Sequence, residues 1–450
     1  MRPKQQQKAR HDDLFRSRLD QIINMKHELV IMADKIDWAW IDEQLAECFS
    51  DQGRPAEPVR FMIGMFLLKH TYNLSDEEVW DRWVCDPYFQ YFTGEEFFQH
   101  KLLHERSGMS HWRKRIGDRL DFLLQESLRL AHDTGALKKS DLARVTVDTT
   151  VQPKNVAFPT DAGLLETAIN QLGRLAKKHN VPLRQSYERV AGKALMMAGR
   201  YAHAKHPRVK PGGRRIKFLR TRLGRIIRDI RRKTEGDGKL EEVFAVPLGR
   251  ASQIGGQKRG QRGWKLYSWH APETECISKG KARTPYEFGV KVSLTTTNKR
   301  CKGGRFILHA RALPGNPYDG HTLRDVIEET EAMTGREIER AYVDKGYVGH
   351  DAPNPHRVFR SGQKHGVHGQ IKRELRRRSA IEAVIGHCKN DGHLGRNFLK
   401  GRDGDRINAV MSAVGYNLRL ILKWLRELLY KIIAAIWVVI MPQSALNPAY

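Results

Sequence analysis

The chain has 450 residues, with 79 Lys or Arg against 51 Asp or Glu, a formal net charge of +28. That surplus speaks for a polyanionic partner, nucleic acid or an anionic membrane surface, and against an ordinary metabolic enzyme. Its 40% hydrophobic and 8% aromatic residues exclude wholesale disorder, and the length suggests about three folding units.

Met1 to Arg10 is polar and no apolar segment follows it, so no signal peptide is expected. Cys48, Cys85, Cys276, Cys301 and Cys388 are odd in number and far apart, with no C-x-x-C pair. Neither a disulfide framework nor a structural zinc site is therefore expected, and the setting is a reducing cytoplasm.

Residues 1–140 read as helical. Val59, Met62, Ile63, Met65, Phe66 and Leu67 form an apolar helical face, Tyr72-Asn73-Leu74 breaks it, and Ser75 with Glu78 matches a capping box that restarts a helix. In a basic protein this is either a helix-turn-helix or an αα-hairpin of a helical bundle. At Ala143 to Asp148 the texture changes to β-branched residues, predicting a buried strand that ends in a carboxylate. Helical periodicity returns from Asp161 to Lys239. Strands follow at Glu287–Thr297 and Arg305–Leu313, a helix at Thr322–Thr334, and a strand at Arg340–Asp344 that again ends in a carboxylate. Strands alternating with helices, two strands being adjacent, indicate an α/β domain with a mixed sheet. The last helices fit 370–390 and 407–440. The apolar run Ile432 to Met441 is ten residues, against roughly 20 for a bilayer span, and reads as the end of a packing helix; no membrane contact is expected. The Gly-rich stretches at Gly255–Gly263 and Gly362–Gly369 match no phosphate-binding fingerprint and read as basic loops.

Three carboxylates stand out: Asp148 and Asp344 at strand ends, and Glu382 in a helix spanning Ile371–Lys389. Strand termini of α/β folds open into the crevice where such folds place their sites. Arg378, Glu382 and Lys389 lie at i, i+4 and i+11, which at about 100° per residue gives directions of roughly 0°, 40° and 20° and one shared face. Between Lys205 and Lys233 thirteen Lys or Arg face one acid, Asp229, while Ile216, Leu219, Leu223, Ile226 and Ile230 recur at spacings of 3 and 4. This predicts an amphipathic helix whose arginines, Arg214, Arg215, Arg220, Arg225, Arg228 and Arg232 among them, contact DNA phosphates, and whose apolar stripe serves packing or dimerisation. Lys372, Arg373, Arg376 and Arg377 add a second basic cluster beside the acids.

These residues resemble the DDE transposases of bacterial insertion sequences, in the insertion-sequence-five-like group whose catalytic helix carries R, three residues, E, six residues, K. Arg378, Glu382 and Lys389 match that spacing; Leu375 stands where the group has a Tyr. VDTT (147–150), EFGVKVSLTTT (287–297), GNPYDGHTL (315–323) and VDKGY (343–347) are similar to the blocks around the family's acids, and residues 54–80 and 88–94 to its N-terminal helical domain. The resemblance implies a ribonuclease-H-like catalytic domain in which Asp148, Asp344 and Glu382 bind divalent metal, Mg²⁺ or Mn²⁺. Hard cations of this kind take oxygen ligands and serve phosphoryl transfer on DNA without His or Cys. Arg378 and Lys389 then meet DNA phosphate, or Arg378 orients a carboxylate.

The expected organisation is a helical N-terminal domain for DNA-end binding (1–140), the catalytic domain (141–160 and 260–405), a basic helical insertion (161–259) and a C-terminal packing helix (406–450). The expected function is a DNA transposase that cleaves and joins the ends of its own element, working as a homodimer on element ends and target DNA at the nucleoid of a bacterial cytoplasm. A nuclease on the same fold and a non-catalytic DNA-binding protein are the alternatives.

Overall fold

A computed structural model describes residues 17–49, 56–102, 104–117, 119–200, 211–258, 260–261, 263–278 and 285–440. The chain forms two compact units, one of residues 1–152 with 291–450 and one of residues 153–290. Lys205, within the basic stretch, and the segment Met1 to Arg10 lie outside the described residues.

In the first unit, helices Glu28–Lys35, Trp38–Gln44, Val59–Tyr72, Asp76–Cys85, Pro87–Thr93, Gly108–Ile116 and Asp121–Asp133 enclose an aromatic core of Phe61, Trp80, Trp83, Phe89 and Phe92. Helix Val59–Tyr72 is buried on all sides, beyond the single apolar face expected, because the long helix Gly401–Ile440 lies against it. Gly415 is the contact point, where any Cβ would run into the backbone of His70. Asn73 ends the helix with a left-handed φ of 54°. Ser75 and Glu78 form the expected capping box, Ser75 Oγ accepting from the Glu78 amide at 3.1 Å and Glu78 Oε2 from the Ser75 amide at 2.7 Å. The pair is a packed hairpin: the second helix opens with Asp76, Glu77 and Glu78, an acidic start suited to the helix dipole and unlike the base-reading end of a recognition helix.

The sheet uses β1 (Arg144–Pro153), β2 (Glu275–Ser278), β3 (Tyr286–Thr297), β4 (Ile307–Leu313), β5 (Arg340–Val343) and β6 (Val358–Arg360). β5 pairs in parallel with both β1 and β6, β4 pairs antiparallel with β3, and β1 lies between β3 and β5, so the sheet is mixed as expected. β1 runs five residues past Asp148, because Thr149, Thr150 and Val151 continue the β-branched pattern and the strand pairs onward; Asp148 therefore sits mid-strand and not at a strand end. β2 and β6, of four and three residues, are too short to show a period of two and were not expected. The long helix covers the edge strand β4. The buried side chain of Asn417 accepts from the Ile307 amide at 2.9 Å and donates to its carbonyl at 2.8 Å, as a neighbouring strand would. No helix among the described residues is long and apolar enough to cross a membrane; the side chains of the apolar run from Ile432 lie outside the description.

The helix expected over Ile371–Lys389 is two helices, Gly369–Arg377 and Ala380–Asn390. Amides of Arg378, Ile381 and Glu382 bond three residues back, to Leu375, Arg378 and Ser379, and this tightened turn ends one helix and starts the next. The first helix is fixed to the sheet by the buried Glu374, which accepts from Arg340 Nε at 2.9 Å and from the Tyr342 hydroxyl. Asn298, also buried, spans Thr146 Oγ1 at 3.1 Å and the Glu374 carbonyl at 3.0 Å.

The second unit is a bundle of helices Asp161–Lys178, Glu188–Arg200, Pro211–Thr234 and Gly238–Gly256, with β2 against the first residues of β3. Helix Gly238–Gly256 takes in the first glycines of the stretch expected to be a basic loop. Leu219, Leu223, Ile226 and Ile230 are buried with Leu165, Ile169, Leu172, Phe244 and Leu266, so the arginine-rich helix uses its apolar stripe for packing inside the bundle.

Candidate active site

Two strands and one helix turn deliver the acids. Asp148 comes from the middle of β1, Asp344 directly follows β5, and Glu382 stands in the first turn of helix Ala380–Asn390. β1 and β5 are parallel neighbours with Thr146 opposite Tyr342, which places Asp148 and Asp344 side by side along the sheet. The tight turn at Arg378 then points its guanidinium at all of them: 3.6 Å to Asp148 Oδ2, 3.5 Å to Asp344 Oδ1 and 3.9 Å to Glu382 Oε1. The Arg378 side chain is 12% exposed and Asp148 18%, whereas Asp344 at 49% and Glu382 at 71% open to solvent. One mostly buried cation is thus shared by three carboxylates of graded exposure.

Burial pushes the Asp148 carboxyl up to about 6, and Asp344 and Asp319 push the same way, against the Thr149 amide and Arg378. Asp148 Oδ1 accepts from that amide at 2.8 Å. Asp319 is a fourth carboxylate of the site that was not singled out from sequence, although it lies in the GNPYDGHTL segment. Its Oδ1 accepts from Thr149 Oγ1 at 3.1 Å and from Lys291 Nζ at 3.0 Å, and Lys291 also donates to the Pro317 carbonyl at 2.7 Å. Tyr347 is 1% exposed and its hydroxyl has no hydrogen-bond partner among the described residues. Burial first, then Asp319, Asp148 and Asp344, hold that hydroxyl well above its ordinary pKa.

The donor set is all oxygen and carries three negative charges around one positive charge, which is the chemistry a hard divalent cation requires. Among the described residues no three Asp, Glu, His or Cys side chains stand close enough together to cage a metal directly; their common partner is the Arg378 guanidinium. Lys389 lies half-buried near the end of the second helix. Lys389 and Glu382 lie in one helix, about two turns apart, and keep the shared face expected of them, whereas the break at Arg378 places the arginine outside that helix.

Residues 17–115 match the family described as a transposase domain (DUF772), and residues 258–418 match the family described as a transposase DDE domain. The chain belongs to the DDE transposases of insertion sequences. It is a DDE-type DNA transposase with a ribonuclease-H-like mixed sheet, and the family works with divalent metal ions. The DDE match takes in Asp344, Arg378, Glu382 and Lys389; Asp148 lies upstream of it in β1. An uncharacterized protein of Rhizobium meliloti, ORF8 in the nfe locus, is 50% identical over 206 residues, 46% of this chain and 99% of that protein. No solved structure matches the chain.

In the second unit, Arg214, Arg225, Arg228 and Arg232 are exposed, and Arg215 is half-buried. Arg220 is turned inward and donates to the Gln257 carbonyl. Arg225, Arg228 and Arg232 join Arg184, Arg231 and Tyr187 around a cavity of about 560 Å³ whose one carboxylate, Asp229, is held by the Arg184 amide at 2.9 Å and by Lys233 at 3.2 Å.

Proposed function

We propose that Asp148, Asp344 and Glu382 form the acidic triad of this transposase and hold the divalent metal, Mg²⁺ or Mn²⁺, with which it cleaves and joins the ends of its own insertion sequence. The observation that carries the reading is the convergence of the three carboxylates on one guanidinium. A metal bound there would activate the attacking oxygen and stabilise the leaving one. The chain's own residues do the remainder. Asp148 is buried and fixed by its neighbour's amide; the more exposed Asp344 and Glu382 face incoming DNA. Arg378 neutralises the acids until a metal replaces it, and is then available to a phosphate oxygen. Lys389 adds a point charge for DNA. Asp319 fixes Thr149 and Lys291 beside the triad.

The exposed Arg214, Arg225, Arg228 and Arg232, with Arg215, serve DNA phosphates in the second unit; Arg220 supports the bundle through Gln257. The N-terminal helices bind the element ends, two copies act together, and the protein works at the nucleoid of a bacterial cytoplasm. Strand cleavage and joining of element-end DNA with Mg²⁺ or Mn²⁺ tests the core of this reading. Asp344→Ala and Glu382→Ala should each abolish both products while leaving DNA binding in EDTA intact. Undiminished cleavage in either variant would sink the assignment, and cleavage without joined products would mark a nuclease instead.

A further inference from the structure

Next to Arg378 the first unit has a cavity of about 620 Å³, lined by Ser361, Gln363, Lys364, Val367, His368, Lys372, Leu375, Arg376, Arg378 and Ser379. One wall is the loop that follows β6. Left-handed backbone at Gly362, Gly366 and Gly369, with φ of 82°, 71° and 49°, folds this loop back over the helix it precedes. Its first residue, Ser361, donates its amide to the Val343 carbonyl at 3.0 Å, so the rim is tied to the strand that ends at Asp344. The other wall is helix Gly369–Arg377, where Lys372 and Arg376, at i and i+4, share a face. Arg373 and Arg377 belong to another stripe and do not line the cavity.

The chemistry of this lining is one-sided. Lys364, Lys372, Arg376 and Arg378 are cations, and among the described residues no carboxylate lines the cavity. Glu374, the acid of the same helix, is buried and engaged by Arg340, Tyr342 and Gln370. Lys364, Lys372 and Arg376 are exposed, and among the described residues their side chains make no ion pair. Leu375 and Val367 supply an apolar floor continuous with the small core of Tyr342 and Phe359. Unpaired cations above an apolar floor suit a chain of phosphates that carries sugars and bases. The cavity ends at Arg378, which touches all three acids.

We infer that this cavity is the bed of the DNA strand that carries the reacting phosphate. Lys364, Lys372 and Arg376 take the phosphates beside that group, and Leu375 and Val367 take an apolar face of a sugar or base. Leu375, an apolar residue where the group has a tyrosine, thus has a place as part of the floor. The inference rests on the triad reading for the direction in which the strand runs.

The test is equilibrium binding of a short single-stranded oligonucleotide to the full chain in EDTA, across about 50 to 200 mM salt. With a slope of about −0.7 per phosphate neutralised on single strands, removing three contacts in Lys364→Ala/Lys372→Ala/Arg376→Ala should flatten log affinity against log salt by about 2. A control of equal charge, Arg336→Ala/Arg373→Ala/Arg377→Ala, should keep the wild-type slope. An unchanged slope in the first variant, or an equal fall in both, overturns the inference. Inorganic phosphate at matched ionic strength should weaken oligonucleotide binding to the wild type more than to the first variant, since it competes for the same cations. If it weakens strand binding to the wild type and to the first variant equally, the strand does not use the cavity cations and the assignment fails. Since no cleavage is measured, this outcome is independent of the triad test: Asp344→Ala addresses the chemistry, and the lysine and arginine variants address the bed.

Discussion

Arg378 is the most consequential single residue of the site. Arg378→Gln keeps a polar side chain of similar reach and deletes the charge that Asp148, Asp344 and Glu382 share. The Asp148 contact dominates, because both partners are mostly buried and 3.6 Å apart. At an effective dielectric of about 20 that pair is worth roughly 332/(20 × 3.6), about 4.6 kcal/mol of gross attraction, before desolvation of the arginine is subtracted. The half-exposed Asp344 and the open Glu382 add less than about 1 kcal/mol each. Removing one member of a buried pair typically costs about 3–5 kcal/mol, so a loss of about 3 kcal/mol is expected for the metal-free protein. The assay is thermal unfolding of wild type and variant, each in EDTA and with excess Mg²⁺ or Mn²⁺. The variant should melt several degrees lower in EDTA, at roughly 2–4 °C per kcal/mol, and metal should recover most of the gap, since a divalent cation supplies the missing charge. Metal should raise the wild type less, because there it has to displace the guanidinium. Equal melting in EDTA, or an equal metal increment in both proteins, would refute the reasoning.

Two further expectations concern the fold. Burial alone would raise the Asp76 carboxyl, but Arg113 and Lys69 outweigh it and hold the group at about 2, against 3.8 when unperturbed. A depressed carboxyl stabilises above its unfolded pKa and loses that contribution as pH falls through its folded pKa. Asp76→Asn should therefore cost about 2 kcal/mol at pH 7, and the gap to wild type should close between about pH 4 and pH 2; a gap that persists at low pH contradicts the pairing. Tyr347→Phe removes a buried hydroxyl without a partner, so denaturant unfolding should show equal or slightly higher stability; a loss above about 1 kcal/mol would mean that the hydroxyl is bonded after all.

Much of this protein is written locally. The capping box at Ser75 and Glu78, the long β3, the strand leading to Asp344 and the apolar stripe of the arginine-rich helix all depend on neighbours a few residues apart, and periodicity reports those directly. The order of Asp148, Asp344, Arg378 and Glu382 along the chain likewise needed no structure to be noticed. What sequence left undecided depended on partners far away in the chain. Helix Val59–Tyr72 is buried all round because Gly415, about 350 residues on, lets another helix touch its backbone. β1 passes beyond Asp148 because β3 is there to pair with it. The helix breaks at Arg378, where the guanidinium meets acids from two strands, and helical periodicity, which assumes an unbroken axis, cannot register that. Asp319 and Tyr347 joined the site on the same terms. Sequence by itself determined which residue types the chemistry has at its disposal; only the tertiary structure decided that one buried arginine stands among three carboxylates, because that meeting is made by through-space electrostatics between segments that no local pattern links.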